Sequence, residues 1–165
     1  PSRDGIYWGG AEPCRFHIGH PYGQRDTRDA TLYKGILAIL GGRDIEARLD
    51  RVEDSNRVVM ISIDGGQDIG RAAENTNINV HLGSVESRPG ARDIVIDAGG
   101  STRAGGVRVS GTRSGKAAVG VYLNAGPGVT LQDIDLSGLE STGASVAVAV
   151  GPRARQSMLR VKLPQ

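Results

Sequence analysis

The sequence predicts an all-β fold, a right-handed single-stranded parallel β-helix with coils of about 27 residues. Three observations predict it: two kinds of short alternating strand that recur along the chain, a constant spacing between them, and a composition rich in turn formers. Glycine provides 25 of the 165 residues, whereas aromatic residues make up 4 %. Turns must therefore be frequent, and the core must be aliphatic.

The repeat is clearest at the ends of the first kind of strand, strand A. Its last apolar residue recurs after one 33-residue interval and then at three 27-residue intervals. These residues are Leu49, Leu82, Val109, Leu136 and Leu163. A second kind of strand, strand B, follows strand A at the same spacing in each of four coils. The A and B end residues of these coils are Leu49 and Ile63, Leu82 and Ile96, Val109 and Leu123, and Leu136 and Val150.

Alternation within each strand predicts that one of its faces is buried. Strand A has the pattern Ile134-x-Leu136 in one coil, and strand B of the same coil has Val146-x-Val148-x-Val150. Three residues after each A end comes another apolar or β-branched residue, and the two polar or small residues between them form a corner. We expect four such residues to point inwards: Val52, Val85, Thr112 and Leu139.

One coil is too short to bury its own apolar face, so the coils must stack. Stacking places like residues about 4.8 Å apart in parallel sheets around a continuous aliphatic core. The extra residues of the 33-residue interval fall around Gln67 to Asn77, in a loop insertion that leaves the columns undisturbed. A leucine-rich repeat is the main alternative, but its asparagine position and helical segment are missing. A β-sandwich would not require the constant spacing between A and B.

Residues 1–44 follow the pattern less well than residues 45–165. Phe16-x-Ile18 predicts an earlier strand A, in the coil before the strand that ends at Leu49, and residues 35–42 predict an earlier strand B. We therefore expect an irregular N-terminal segment with the first partial coils, followed by regular coils, in one continuous domain or a segment of a larger protein.

No amphipathic capping helix is evident at either end of the predicted stack. Only Pro164 and Gln165 follow the last strand, and a solenoid must cover its terminal coils. We therefore expect further domains of a larger protein or partner chains at the ends. The alternative is a short β-helix whose own loops cover its ends.

Residues 45–163 resemble the pectin-lyase-like right-handed β-helix superfamily, which includes pectate lyases, polygalacturonases, alginate epimerases and bacteriophage tailspikes. The resemblance lies in the repeat architecture, and no catalytic motif matches. It implies the fold, a polysaccharide ligand and an extracellular or virion-associated location. It implies no active-site residue.

Composition and charge limit the other partners. The chain has 20 basic and 18 acidic residues, a balance too even to predict nucleic-acid binding. No apolar run is long enough to span a membrane, and Cys14 is the only cysteine, so no internal disulfide can form. We expect no cofactor and no metal. A calcium site formed by Asp64, Asp68 and Asp97 is the alternative.

The outer surface of the A strands, face A, is predicted to be charged and mostly basic. One column runs His17, Arg48, His81, Arg108, Asp135, Lys162. The neighbouring column runs Arg15, Glu46, Asn79, Gly106, Asp133, Arg160. Cations in successive coils predict a binding site for the carboxylates of an acidic glycan. Its predicted ligand-binding residues are Arg48, His81, Arg108 and Lys162.

Catalysis on face A is a further possibility. Asp135 and Asp133 are candidates for a general acid and base, with His81 as a group that titrates near neutral pH. Glycoside hydrolysis normally needs two carboxylates at a defined separation. The simpler alternative is that opposite charges pair on a solvated sheet.

The outer surface of the B strands, face B, is predicted to be small and apolar, and therefore covered. The predicted interface residues are Met60, Val95, Tyr122, Ala147 and Ala149. Side-by-side packing in a homotrimer, as in trimeric tailspikes, would cover them, and so would the chain's own loops.

Three functions fit these observations. The first is a β-helix segment of a virion or secreted spike that binds a surface polysaccharide. The second is a polysaccharide lyase, hydrolase or epimerase acting on an acidic glycan. The third is a purely structural shaft or assembly module. The uncapped ends and the apolar face B favour the first, and whether the chain is an enzyme is left open.

Overall fold

The computed structural model of the chain describes residues 6–8, 14–18, 37–40, 42–55, 59–62, 75–87, 89–98, 103–126, 129–155 and 158–164. These residues form thirteen strands and one short helix. The strands are β1 (Ile6–Trp8), β2 (Cys14–Ile18), β3 (Leu37–Leu40), β4 (Gly42–Ser55), β5 (Val59–Ser62), β6 (Asn75–Ser87), β7 (Arg92–Ala98), β8 (Arg103–Gly115), β9 (Val119–Ala125), β10 (Thr130–Asp135), β11 (Leu139–Ser141), β12 (Val146–Val150) and β13 (Met158–Lys162). The helix, α1 (Pro152–Arg155), lies between β12 and β13.

The strands form two sheets in which every described pair is parallel. The six-stranded sheet has the order β1-β3-β5-β7-β9-β12. The other, seven-stranded sheet has the order β13-β10-β8-β6-β4-β2, with β11 paired to β8. The chain thus alternates between the two sheets, and strands from successive passes are neighbours within each sheet. The all-β class is confirmed, since α1 has only four residues.

The register confirms the 27-residue period in the last part of the chain. Val107 pairs with Ile134, and Ile134 with Val161. In the six-stranded sheet, β7, β9 and β12 keep the same spacing. The 33-residue interval is also confirmed, because Ile45 lies opposite Ile78.

The predicted match of Leu82 with Val109 is wrong, because the two strands are shifted by a two-residue slip. Val80 pairs with Val109, which is a 29-residue offset, and the register shifts again between Leu82 and Val85. Such a slip keeps the same side chains on the buried face, so the hydrophobic pattern could not reveal it. On the other sheet the predicted match of Ile63 with Ile96 is also wrong, because Ile61 pairs with Ile96; Ile63 itself lies outside the described residues.

The core is a set of aliphatic columns between the two sheets. In the seven-stranded sheet one column contains buried Ile45, Ile78, Val107 and Ile134, and Val161 packs against the cluster. In the six-stranded sheet a matching column contains buried Ile39, Ile61, Ile96 and Leu123. Burying each such side chain stabilises the fold by about 1.5–3 kcal/mol. The exposed large aliphatic side chains of the described residues lie at the last strands: Val146, Met158, Leu159 and Leu163.

A backbone feature repeats at the same register in five strands of the seven-stranded sheet. The residue just before the core position Ile45, Ile78, Val107, Ile134 or Val161 has a positive φ. These residues are Asp44, Asn77, Gly106, Asp133 and Arg160, with φ of 53°, 55°, 69°, 54° and 53°. Asp, Asn and Gly are the residues that tolerate this conformation best, and we call this set the positive-φ row.

Three of the four residues predicted to point inwards after the corners are buried, namely Val52, Val85 and Leu139. The prediction for Thr112 is wrong, because Thr112 is exposed and the neighbouring Arg113 is fully buried. In the slipped register Val85 pairs with Arg113.

An interior ion-pair network accommodates the buried Arg113. Its guanidinium donates to one carboxylate, one hydroxyl and three backbone carbonyls. The acceptors are Asp93 Oδ2, Ser141 Oγ and the carbonyl oxygens of Thr142, Ser114 and Gly115. Asp93 comes from the opposite sheet and is also fully buried. This buried network therefore links the two sheets.

The paired strands extend to the N-terminal side of residue 45. Ile18 pairs with Leu49, as predicted for an earlier strand A, and β3 joins the six-stranded sheet at the predicted earlier strand B. β4 begins at Gly42, so pairing is continuous across the expected boundary between residues 44 and 45.

Candidate functional site

A groove of about 260 Å³ lies on face A, across three neighbouring strands. Its lining includes Ala47 and Val80 and six residues of the outer face, two on each of β4, β6 and β8. The first row across the sheet is Glu46, Asn79 and Arg108, and the second is Arg48, His81 and Ser110. Neighbouring strands lie about 4.8 Å apart, and alternate residues along a strand about 6.6 Å apart. The groove is therefore of a size to hold one charged group of a ligand and the ligand atoms next to it.

Three predicted ligand-binding residues meet at this groove: Arg48, His81 and Arg108. Their predicted arrangement in a single column is wrong. His81 pairs with Ser110, and Arg108 pairs with Asn79, because of the 29-residue offset between β6 and β8. Arg48 and Arg108 consequently occupy opposite corners of the groove.

The fourth predicted ligand-binding residue, Lys162, lies apart from the groove. It is on β13 and pairs across the sheet with Asp135 on β10. Its Nζ lies 3.7 Å from Asp135 Oδ2. Lys162 is not among the groove residues.

Many of the charges on face A are already paired, as the solvated-sheet alternative predicts. Arg15 contacts Glu46 at 2.8 Å, and Arg48 Nε donates to Asp50 Oδ1 at 2.7 Å. The second contact uses one of the five N–H donors of Arg48, so its other donors can still reach a ligand.

Arg108 is the groove cation held most weakly by the described residues. Its closest carboxylate oxygen, Asp135 Oδ2, is 3.7 Å away, beyond hydrogen-bonding distance, and its side chain is 65 % exposed. A guanidinium in this state can donate two parallel hydrogen bonds to an incoming carboxylate.

His81 lies between Arg48 and Ser110 in the second row. Its Nδ1 lies 3.1 Å from Ser110 Oγ. Since that contact engages Nδ1, Nε2 is the nitrogen left for a ligand.

The two carboxylates predicted to be catalytic lie outside the groove and are engaged in other contacts. Asp133 accepts hydrogen bonds from Arg160 Nε and Nη2, and this pairing lowers the pKa of Asp133. Asp135 accepts from the hydroxyl and the backbone N–H of Ser137, which lower the pKa of Asp135. Both groups are therefore held ionised, whereas a general acid in glycoside hydrolysis needs a raised pKa.

These pKa directions predict a titration that can be observed directly. Asp133 and Asp135 are expected to titrate below the ordinary pKa of 3.8. Because their folded-state pKa is lowered, the stability they contribute is present above pH 3.8 and is lost as the pH falls through the folded-state pKa. Carboxyl-carbon NMR titration measures both groups.

Arg160→Gln is expected to return the pKa of Asp133 towards 3.8. It should leave the lowered pKa of Asp50 unchanged, because Arg48 and His17 cause that shift. A wild-type Asp133 that titrates at or above 3.8 would contradict the assigned ion pair.

Face B is only partly open in the single chain. Val95, predicted to be an interface residue, is 1 % exposed. Ala147 is exposed, and Tyr122 and Ala149 are half-buried. The guanidinium carbon of Arg92 lies 4.8 Å from the centre of the Tyr122 ring, in a cation–π contact. The side chain of the fifth predicted residue, Met60, lies outside the described part of the structure.

The sequence did contain a signal for the positive-φ row and for the groove residues beside it. Aligned on the register, the A strands read DIEA, NINV, GVRV, DIDL and RVKL. Asp, Asn or Gly occupies the first position in four of the five. Asn79, the third residue of NINV, belongs to the groove.

Within the described ranges, no cluster of three or more His, Cys, Asp or Glu side chains could hold a metal ion. Asp64 and Asp68 of the alternative calcium site lie outside those ranges. Among the described helices, none has the length and apolar character needed to cross a membrane.

Comparison of the chain with protein-family models, curated proteins and solved structures gave no significant match. Function is therefore inferred from the residues of the groove.

Proposed function

We propose that the chain is a right-handed parallel β-helix that binds an acidic polysaccharide at the face A groove. Two all-parallel sheets visited in turn, with a 27-residue register in the last strands, support the fold. The observation that carries the binding function is the meeting of Arg48, His81 and Arg108 around one groove.

The groove offers complementary contacts to a carboxylated sugar. Arg108 supplies a bidentate donor for the carboxylate, and Arg48 adds positive charge from the opposite corner. His81 and Ser110 provide polar atoms for the hydroxyl groups of the same or the next sugar. Charge is the main source of affinity here, because the described lining of the groove includes no Phe, Tyr or Trp on which a sugar ring could stack.

Binding is better supported than catalysis. Glu46, the one carboxylate among the described groove residues, is paired with Arg15, and Asp133 and Asp135 are held ionised outside the groove. Hydrolysis would normally require two carboxyl groups that flank the glycosidic bond to be cleaved.

The resemblance to tailspikes also supports a proposal about the larger protein and the assembly to which the chain belongs. We propose that the chain is a segment of a secreted or virion-borne spike. Side-by-side packing of copies in a homotrimer would cover the exposed part of face B, which includes Ala147 and the half-buried Tyr122 and Ala149.

Replacing Arg108 with alanine tests the proposed site. Wild-type protein is expected to bind alginate, a carboxylated polysaccharide, and not neutral dextran. Arg108→Ala should weaken alginate binding about tenfold, since a hydrogen bond to a charged group contributes about 1.5 kcal/mol. Isothermal titration calorimetry measures the dissociation constants.

Arg153→Ala is the matched control, because Arg153 is an exposed arginine on α1. It should bind alginate within twofold of wild type. Equal weakening by both substitutions would mean that net charge, and not the groove, governs binding. Failure of the wild-type chain to bind alginate would refute the proposed function.

A further inference from the structure

Two amide side chains and one carboxylate form a hydrogen-bonded relay that leads to the groove. Asn77 Nδ2 donates to Asp44 Oδ1 at 2.8 Å, and Asn79 Nδ2 donates to Asn77 Oδ1 at 3.1 Å. Asp44 and Asn77 belong to the positive-φ row, and Asn79 lies in the groove between Glu46 and Arg108. The relay thus connects the positive-φ row to the groove.

The chemistry of the relay determines which way each amide is oriented. An ionised carboxylate can only accept hydrogen bonds, so Asn77 must present its NH₂ group to Asp44. The carbonyl oxygen of Asn77 must then face Asn79, whose NH₂ group donates to it. Because Asp44 terminates the relay, neither amide can exchange its oxygen and nitrogen without losing a hydrogen bond.

The relay leaves Asn79 Oδ1 as a hydrogen-bond acceptor at the groove. The hydrogen bond to Asn77 uses Asn79 Nδ2 and not this oxygen. Asn79 lies in the same row as Arg108, on the neighbouring strand. An acceptor beside a carboxylate-binding arginine suits a ligand that carries a hydroxyl group close to its acidic group.

We propose that Asn79 is a specificity-determining residue that accepts a hydrogen bond from a ligand hydroxyl next to the acidic group, and that Asp44 is its positioning residue through Asn77. This inference rests on the proposed function. It adds that the groove selects a hydroxylated acid over an anionic polymer without hydroxyl groups.

Comparing two polymers distinguishes recognition of the carboxylate charge from recognition of hydroxyl groups. Alginate and polyacrylate both carry carboxylates, but only alginate carries ring hydroxyls. Asn79→Ala is expected to weaken alginate binding about fivefold and to leave polyacrylate binding within twofold of wild type. Arg108→Ala should weaken binding of both polymers, because the carboxylate is common to them.

Asp44→Asn tests the positioning role from outside the groove. An asparagine can donate as well as accept, so it no longer determines the orientation of Asn77. The ratio of alginate to polyacrylate affinity is expected to fall at least twofold, although no groove residue has changed. A loss of fold would lower both affinities together, and circular dichroism would detect it.

The outcomes separate the two proposals. Equal effects of Asn79→Ala on both polymers, or no effect on either, would overturn the specificity role while the Arg108 result still supports the binding site. An unchanged affinity ratio in Asp44→Asn would overturn the positioning role. If the wild-type chain binds neither polymer, the proposed function and this inference both fail.

Discussion

Replacing Arg113 with leucine is expected to destabilise the protein by about 3–5 kcal/mol, a large part of the stability of a typical domain. Arg113 and Asp93 are both fully buried, and the guanidinium donates to acceptors from both sheets. Leucine leaves the Asp93 carboxylate buried without the guanidinium. Urea unfolding followed by circular dichroism measures the change.

A double substitution distinguishes the ion pair from simple packing. Arg113→Leu combined with Asp93→Leu removes both charges, so it should recover much of the lost stability. Arg153→Leu, at an exposed position, is expected to change stability by less than about 0.5 kcal/mol. A double variant no more stable than Arg113→Leu would show that the hydrogen bonds of the network, and not the buried charge of Asp93, dominate.

Gly111→Ala is expected to destabilise the protein by about 3 kcal/mol or more. Gly111 has a φ of +105°, and a Cβ atom there would lie 1.7 Å from the backbone oxygen of Leu82. Gly111 and Leu82 are partners in neighbouring strands, so neither backbone can move away without disturbing the sheet. Thermal unfolding compares the variant with wild type.

Gly90→Ala provides the control for backbone strain alone. Gly90 has a φ of +83°, but no described atom lies within 4 Å of the position that its Cβ would occupy. The substitution should cost about 1–2 kcal/mol. If the two glycine variants were equally unstable, the close approach of Gly111 to Leu82 would not be the cause.

Much of the sheet structure could be predicted because it depends on a simple physical pattern. Alternating aliphatic residues such as Ile134 and Leu136 must face the core, and their 27-residue recurrence brings like strands together. The slip between β6 and β8 could not be predicted, because a two-residue change of register buries the same face of the strand.

The interior ion pair could not be predicted either. An arginine in an exposed-looking strand pattern is ordinarily assigned to the surface. Arg113 is buried only because Asp93, on the opposite sheet, and several backbone carbonyls converge on it. That convergence depends on how the two sheets face each other, which no local pattern contains.

The charged residues of the site could be predicted from the sequence, but their arrangement relative to one another could not. Arg48, His81 and Arg108 were expected on face A and do meet there. The register slip replaced the expected column by a two-row groove and made Asn79 the neighbour of Arg108. Asp135, expected beside the ligand, instead accepts hydrogen bonds from Ser137.

The most direct test of the proposed function is NMR observation of the arginine Nε–H groups while alginate oligosaccharides are added. The signals of Arg108 and Arg48 are predicted to shift most, with those of Arg153 on α1 and of Arg92, which contacts Tyr122, unchanged. Single substitutions assign the signals. Shifts centred on Arg92, or equal small shifts at every arginine, would contradict binding at the face A groove.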